Sequence, residues 1–229
     1  MEERREKRHN RSYVIRKGRM TQGQSRAIEE LGPRYLIPAE PGTLIDFAKV
    51  FGNDHPVVLE IGFGMGRSLM QMAQDTTGQN FVGIEVYPPG IGSALAEIGK
   101  LGLVNVRLIN HDAYEVVSGC IAPNSLDAVQ IFFPDPWPKL RHHKRRLIND
   151  EFVQMLRPLL KSGGEIRMAT DWENYALQML EVMSRAAGFL NQSSTNTFVA
   201  RPAWRPLTKF EERGQKLDHG VWDLVFTRE

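Results

Sequence analysis

The chain has 229 residues, 41% hydrophobic and 24% charged, with 29 Lys and Arg against 27 Asp and Glu and a formal net charge of +2; this is ordinary soluble composition with length for one domain and an extension. Its single cysteine, Cys120, excludes an internal disulfide, a four-cysteine zinc site and an iron–sulfur cluster. The charged start lacks the apolar core of a signal peptide and no stretch approaches the roughly 18 apolar residues of a membrane span, so a cytoplasmic protein is expected.

Residues 1–32 are polar, basic and aperiodic, and the first twenty hold eight Lys and Arg against three Glu. They read as a flexible arm able to order on a partner, ahead of a single domain over residues 33–229. A short apolar helix is expected around Leu44 to Ala48. Strand and helix then alternate. Val57 to Ile61 and Phe81 to Glu85 are apolar runs of strand length, and a helix through Leu69, Met72 and Ala73 lies between them. Pro88 opens a helix with its apolar face on Ile91, Leu95 and Ile98. Further strands are expected over residues 104–109, 126–132 and 165–170. One helix through Phe152 and Leu156 ends at Gly163-Gly164, and another from Ala176 to Ala187 stops at Gly188. Two last strands are expected near Thr197 to Val199 and Val221 to Phe226. This pattern predicts an α/β fold, a doubly wound and mostly parallel sheet with an antiparallel C-terminal edge strand.

The first strand runs into Glu60-Ile61-Gly62-Phe63-Gly64-Met65-Gly66, where glycines permit positive φ and close approach of a ligand. Glu85 ends the second strand, 23 residues beyond Gly62, where an acid characteristically grips ribose hydroxyls. These features alone suit both a nicotinamide dinucleotide and S-adenosylmethionine. A dinucleotide, however, sets its pyrophosphate against the helix N-terminus, and the carboxylate of Glu60 would repel it. S-adenosylmethionine has no phosphate and carries an ammonium and a sulfonium, so the sequence favours it. Asp112, after the third strand, is placed to accept from the adenine amino group or to cap the next helix. Glu60 itself could instead be satisfied by amides of the loop.

The fourth strand ends in Phe132-Phe133-Pro134-Asp135-Pro136-Trp137-Pro138-Lys139. Three prolines in five residues forbid both helix and central strand, and a stiff loop at the carboxyl end of a strand is where an open α/β sheet keeps its chemistry. The stretch from Lys139 to Arg146 adds five cations, two imidazoles and no acid, a local block that fits a polyanion. Trp137 suits either stacking on a base or packing of the loop.

Five motifs in one order resemble the bacterial tRNA (guanine-N7)-methyltransferases: Glu60 to Gly66, Gly83-Ile84-Glu85-Val86, Phe133 to Lys139, Ala169-Thr170-Asp171-Trp172 and Thr208-Lys209-Phe210-Glu211. The likeness runs from about residue 33 to the C-terminus and is most specific in the Pro-Asp-Pro-Trp-Pro-Lys and Thr-Lys-Phe-Glu stretches. It implies a Rossmann-like methyltransferase fold and methylation of guanine 46 in the variable loop of tRNA. By the pattern of that family, Glu60, Glu85, Asp112 and Asp135 contact the cofactor on the loop of Gly62, Gly64 and Gly66. Lys139, Asp171, Thr208, Lys209, Phe210 and Glu211 contact the substrate, and Arg141, His142, His143, Lys144, Arg145 and Arg146 lie against RNA. The basic arm matches least.

Guanine N7 presents an in-plane lone pair at neutral pH, so the reaction asks for alignment and desolvation, not for a general base. Asp135 is the candidate catalytic carboxylate, stabilising the positive charge that develops on the purine. Asp171 could equally cap the helix after it, and Thr208 and Glu211 have capping-box spacing. Adjacent His142 and His143 cannot easily share one ion, so no metal is expected. Cys120 lies far in sequence from the proline-rich loop, which argues against a thiolate route.

Overall fold

A computed structural model describes residues 11–14, 18–207, 211 and 220–229. Among them seven strands form one sheet: β1 (Val57–Ile61), β2 (Asn80–Ile84), β3 (Val106–Ile109), β4 (Leu126–Phe132), β5 (Leu160–Thr170), β6 (Phe189–Asn191) and β7 (Trp222–Arg228), in the order β3-β2-β1-β4-β5-β7-β6. The first five are parallel, and β7 runs antiparallel to both β5 and β6, as the sequence predicts. The helices are α1 (Gln22–Tyr35), α2 (Phe47–Phe51), α3 (Arg67–Asp75), α4 (Pro88–Leu101), α5 (Ala113–Gly119), α6 (Asp150–Leu156) and α7 (Glu173–Arg185). No helix among the described residues is long and apolar enough to cross a membrane.

Every residue of β1 and β2 is buried, as parallel strands covered by helices on both faces require. Alternation sorts their side chains. Val57, Leu59 and Ile61 join a core with Val116, Phe152 and Met179 under α5, α6 and α7, whereas Val58 and Phe81 pack on the opposite face with Leu69, Leu95 and Ile98 of α3 and α4. The order reverses between β1 and β4, so the carboxyl ends of these two strands diverge and leave a crevice there.

The structure corrects the expected arm. Residues 22–32, expected to be flexible, lie within α1, so the boundary at residue 32 falls inside a helix. Thr21 caps that helix: its hydroxyl accepts from the Gln24 amide at 3.2 Å while the Gln24 side chain accepts from the Thr21 amide at 2.9 Å. This capping box is legible in Thr21-Gln22-Gly23-Gln24. α1 seats on α4, where a Cβ at Gly92 would stand 2.7 Å from the Gln24 Cβ and 2.8 Å from its carbonyl oxygen. Beyond it, Leu36 bridges Leu108, and the Ile37 amide donates to the Leu108 carbonyl at 2.8 Å, which covers the open edge of β3.

Two other expectations shift. Gly163 and Gly164 sit within β5, which begins at Leu160 opposite Leu126 and changes register before Glu165 meets Ala128; the preceding helix has already ended in a 3₁₀ turn through Pro158. The strand expected at Thr197 to Val199 reduces to one bridge between Val199 and Asp223. The edge strand is Phe189–Asn191, three residues long, too short to show alternation.

Filling the α1–α4 contact tests whether the docked helix is integral. Gly92→Ala should destabilise by about 1–3 kcal/mol and raise amide exchange over residues 22–35 while leaving β1 and β4 protected. Unchanged exchange over α1 would mean that its seat is not where the structure has it.

Candidate functional site

The crevice opens where β1 and β4 part. Glu60, in register with Gly83 of β2 and Gln130 of β4, is 3% exposed, and its Oε2 has no hydrogen-bond partner; the alternative in which loop amides satisfy it is not what the structure has. Burial first, and the nearby Glu85 second, push the Glu60 carboxyl up to about 8. Next in the chain, Gly62, Gly64 and Gly66 adopt φ of 76°, 60° and 82°, left-handed values that favour residues without a side chain. Glu85 holds this turn. Its Oε2 accepts from the Gly64 amide at 2.8 Å, and its Oε1 accepts from Val86 at 2.8 Å and Tyr87 at 3.0 Å. Burial outweighs these bonds and raises the Glu85 carboxyl, and the charge of Asp135 adds to the rise. Glu60, Glu85 and Asp135 therefore share one electrostatic site.

Asp112 caps α5, accepting from the Tyr114 amide at 2.8 Å, and it also hydrogen-bonds the Tyr13 hydroxyl. A cleft of about 400 Å³ runs from the glycine turn past Glu85 and Tyr87 to Phe133 and Asp135, with Tyr13 on its outer wall. No Lys or Arg is among the described residues lining it. Two lining acids, Glu85 and Asp135, no lining Lys or Arg, and behind them the unpartnered Oε2 of Glu60 coupled to Glu85 suit a ligand bearing positive charge and disfavour a pyrophosphate. A second hollow, of about 440 Å³, lies around Phe47, His55 and Lys161, away from the glycine turn.

The proline-rich loop leaves β4 under strain. Phe133 (φ 50°) and Trp137 (φ 46°) are two of the four non-glycine residues with positive φ among those described, conformations that persist where surrounding contacts impose them. The Phe133 amide is tied to the Ala169 carbonyl at 2.8 Å. Trp137 is packed: its indole N–H donates to the Ser12 carbonyl at 3.0 Å, Arg145 lies 4.9 Å over its ring and His142 meets it edge-on. Asp135 is partly exposed between them.

A 3₁₀ helix, Leu140–Arg145, then turns the basic stretch outward. Lys139, Arg141, Lys144 and Arg145 are exposed, and His142 and His143 half-buried. Arg146 is the exception and corrects its expected place against RNA: it is 2% exposed and its guanidinium is engaged within the protein. Sequence alone could not separate it from its neighbours, because the 3₁₀ turn that points it inward has no periodic signature.

Asp171 is exposed at the end of β5, just ahead of Trp172, which occupies the cap position of α7. Thr208, Lys209 and Phe210 lie outside the described residues. Glu211 is buried, with both oxygens accepting from Arg205 at 2.6 and 2.8 Å, while the same guanidinium donates to both oxygens of Asp223 at 2.6 and 2.8 Å. Arg205 lies 5.7 Å from the Phe133 ring centroid, so β7 and the proline-rich loop meet at one cation. Sequence reasoning missed Ser12, Tyr13, Arg205 and Asp223. The charge of the arm masks Ser12 and Tyr13, and Arg205 and Asp223 are paired across 18 positions with no local motif.

Comparison with known proteins gives a family. Residues 54–224 match the family model described as "Putative methyltransferase". A tRNA (guanine-N(7)-)-methyltransferase of Pseudoalteromonas translucida (strain TAC 125) is 56% identical over 218 residues, 95% of this chain and 90% of that protein. One from Aeromonas hydrophila subsp. hydrophila is 55% identical over 95% of this chain and 92% of its own. Among solved structures, the 16S rRNA methyltransferase KamB superposes with a TM-score of 0.59 at 13% identity, covering 85% of this chain and 99% of that one. The aminoglycoside resistance methyltransferase NpmB1 gives 0.52 at 20% identity over 76% and 87%. These two carry the fold.

The Arg205 cluster predicts a stability effect. Arg205→Met should cost roughly 3–5 kcal/mol in denaturant titration at neutral pH, because it removes the guanidinium shared by two buried carboxylates. The loss should shrink as pH falls: a buried carboxyl with a raised folded-state pKa is protonated in the folded protein first, so acid favours the folded variant. A loss independent of pH would show that burial of these acids is not its cause.

Proposed function

The chain belongs to the tRNA (guanine-N7)-methyltransferase family, and on that premise we propose how its site transfers a methyl group from S-adenosylmethionine to N7 of guanine in tRNA. The observation that carries the assignment of roles is a cleft lined by Glu85 and Asp135, with buried Glu60 electrostatically coupled to Glu85, beside the exposed cations from Lys139 to Arg145. By resemblance to the family, the target is guanine 46 of the variable loop, and a tRNA substrate makes the cytoplasm the working compartment.

S-adenosylmethionine, when bound, supplies a methyl group on a sulfonium whose sulfur keeps the bonding electron pair on transfer. The chain's own residues would hold it in turn. Gly62 and Gly64 carry no side chain where the turn lines the cleft. Glu60, buried and short of a partner on Oε2, suits the ammonium. Glu85 would accept from the ribose hydroxyls, and Asp112 would accept from the adenine amino group.

Guanine N7 attacks with its lone pair and loses no proton, so no residue is required as a base. Asp135 acts by charge: a fixed carboxylate beside the purine stabilises the cation that forms there and can orient the base by accepting from its N1–H or exocyclic amine. Two strained residues and three prolines hold Asp135 in position before the substrate arrives. Lys139 and Asp171, both exposed, suit contacts with the nucleotide. The Thr208-Lys209-Phe210-Glu211 stretch suits the substrate as well, anchored at Glu211 by Arg205. Arg141, His142, His143, Lys144 and Arg145 meet the phosphate backbone, which implies salt-sensitive binding.

Two outcomes are expected. With labelled S-adenosylmethionine and unmodified tRNA, digestion should recover label in 7-methylguanosine, and Asp135→Ala should lower the rate by about 100- to 1000-fold with the fold intact. Full activity in that variant would remove Asp135 from the chemistry.

The second concerns pH. Burial pushes the Glu60 carboxyl up to about 8, so below that pH a cation must displace its proton in order to bind. The dissociation constant for S-adenosylmethionine should therefore fall from about pH 5.5 to about 7.5, by at most about tenfold per unit. Glu60→Gln should bind more weakly and lose this slope. The same slope in the variant would assign the pH dependence to another group.

A further inference from the structure

We propose that Arg146 is a positioning residue of the methyl-transfer site, fastening the Asp135 loop to the first turns of α7, and not a contact for RNA. The proposal rests on the reading of Asp135 given above.

Arg146 closes a run of cations, yet its side chain turns away from them and is 2% exposed. Its Nε–H donates to the Pro136 carbonyl at 2.8 Å, one residue beyond Asp135. Its Nη1 and Nη2 donate to Gln178 Oε1 at 2.5 Å and Asn174 Oδ1 at 2.8 Å, both on α7. The guanidinium lies 4.7 Å over the ring of fully buried Tyr175, whose hydroxyl accepts from the Ile148 amide. All three acceptors are neutral. What the site asks of residue 146 is therefore a planar fork able to reach three directions from one buried point, which an ammonium on a flexible stem does not reproduce.

The contact matters because of where it grips. Prolines stiffen the loop but do not fasten it to anything. The Phe133 amide, bonded to the Ala169 carbonyl, fixes the end nearest β4, and Arg146 fixes Pro136 on the far side. Asp135 stands between these two anchors. α7 begins two residues after Asp171, so the same guanidinium sets the Asp135 and Asp171 loops relative to one another. A shift of about 1 Å in a catalytic group can cost 100-fold in rate.

The test compares Arg146→Lys, Asn174→Ala and Asp135→Ala in the full chain, reading kcat, KM for tRNA and the dependence of tRNA binding on salt. Arg146→Lys keeps the charge and loses the fork; kcat should fall about 10- to 100-fold with KM and the salt slope unchanged. Asn174→Ala alters no charge and should lower kcat in the same sense, by about 3- to 10-fold; it carries the decision if Arg146→Lys fails to fold. A lysine variant with wild-type kcat, or an added charge-removing Arg146→Gln variant with raised KM and a salt slope reduced by about one, overturns the positioning role. Activity lost in Asp135→Ala but kept in Arg146→Lys overturns that role alone. Activity kept in Asp135→Ala overturns the reading of Asp135 and this proposal with it.

Discussion

The site depends on one carboxylate that does no chemistry. Glu85 directly follows β2 and binds three backbone amides, one from the glycine turn after β1 and two from the segment that leads into α4. A turn of left-handed glycines has little intrinsic preference for one shape, and a single acid accepting from both sides gives it one. The backbone of Glu85 is held in its turn by the Asn110 side chain, which donates to its carbonyl at 2.7 Å. Three successive strand ends are thus joined before any ligand contact is counted, and the negative charge gathered there is a by-product of the joinery.

Two buried guanidiniums do comparable work on irregular segments elsewhere. Arg205 spans Asp223 and Glu211, and Arg146 spans Pro136, Asn174 and Gln178. Their environments differ in kind. Arg205 is matched by two carboxylates, so its value lies in not leaving buried charge unpaired; Arg146 meets only neutral oxygens and a ring, so its value lies in direction. Loops lack the repeating amide pattern that orders a helix or strand, and a five-donor side chain substitutes for it.

The parallel sheet was legible because its signals are local: apolar runs of strand length, Gly62-Phe63-Gly64-Met65-Gly66 after the first, and Pro88 at the start of α4. The proline-rich loop was legible for the same reason. Arg146 was not, since its direction is decided by a 3₁₀ turn and by acceptors 28 and 32 residues away. The capping box at Thr21 was in plain view, but the surrounding charge outweighed it and the segment read as flexible. Whether Trp137 met solvent or protein turned on residue 12, separated by 125 positions, which no pattern of spacing records.

That last contact bears on how the molecule is made. Ser12 and Tyr13 close the outer wall of the cleft against Trp137 and Asp112, so this part of the chain leaves the ribosome long before its partners do. It must wait, unplaced and positively charged, until the strand carrying the proline-rich loop has emerged and paired. The glycine turn and Glu85 are joined across 21 positions, whereas the outer wall is joined across 125, a closure that costs more chain entropy.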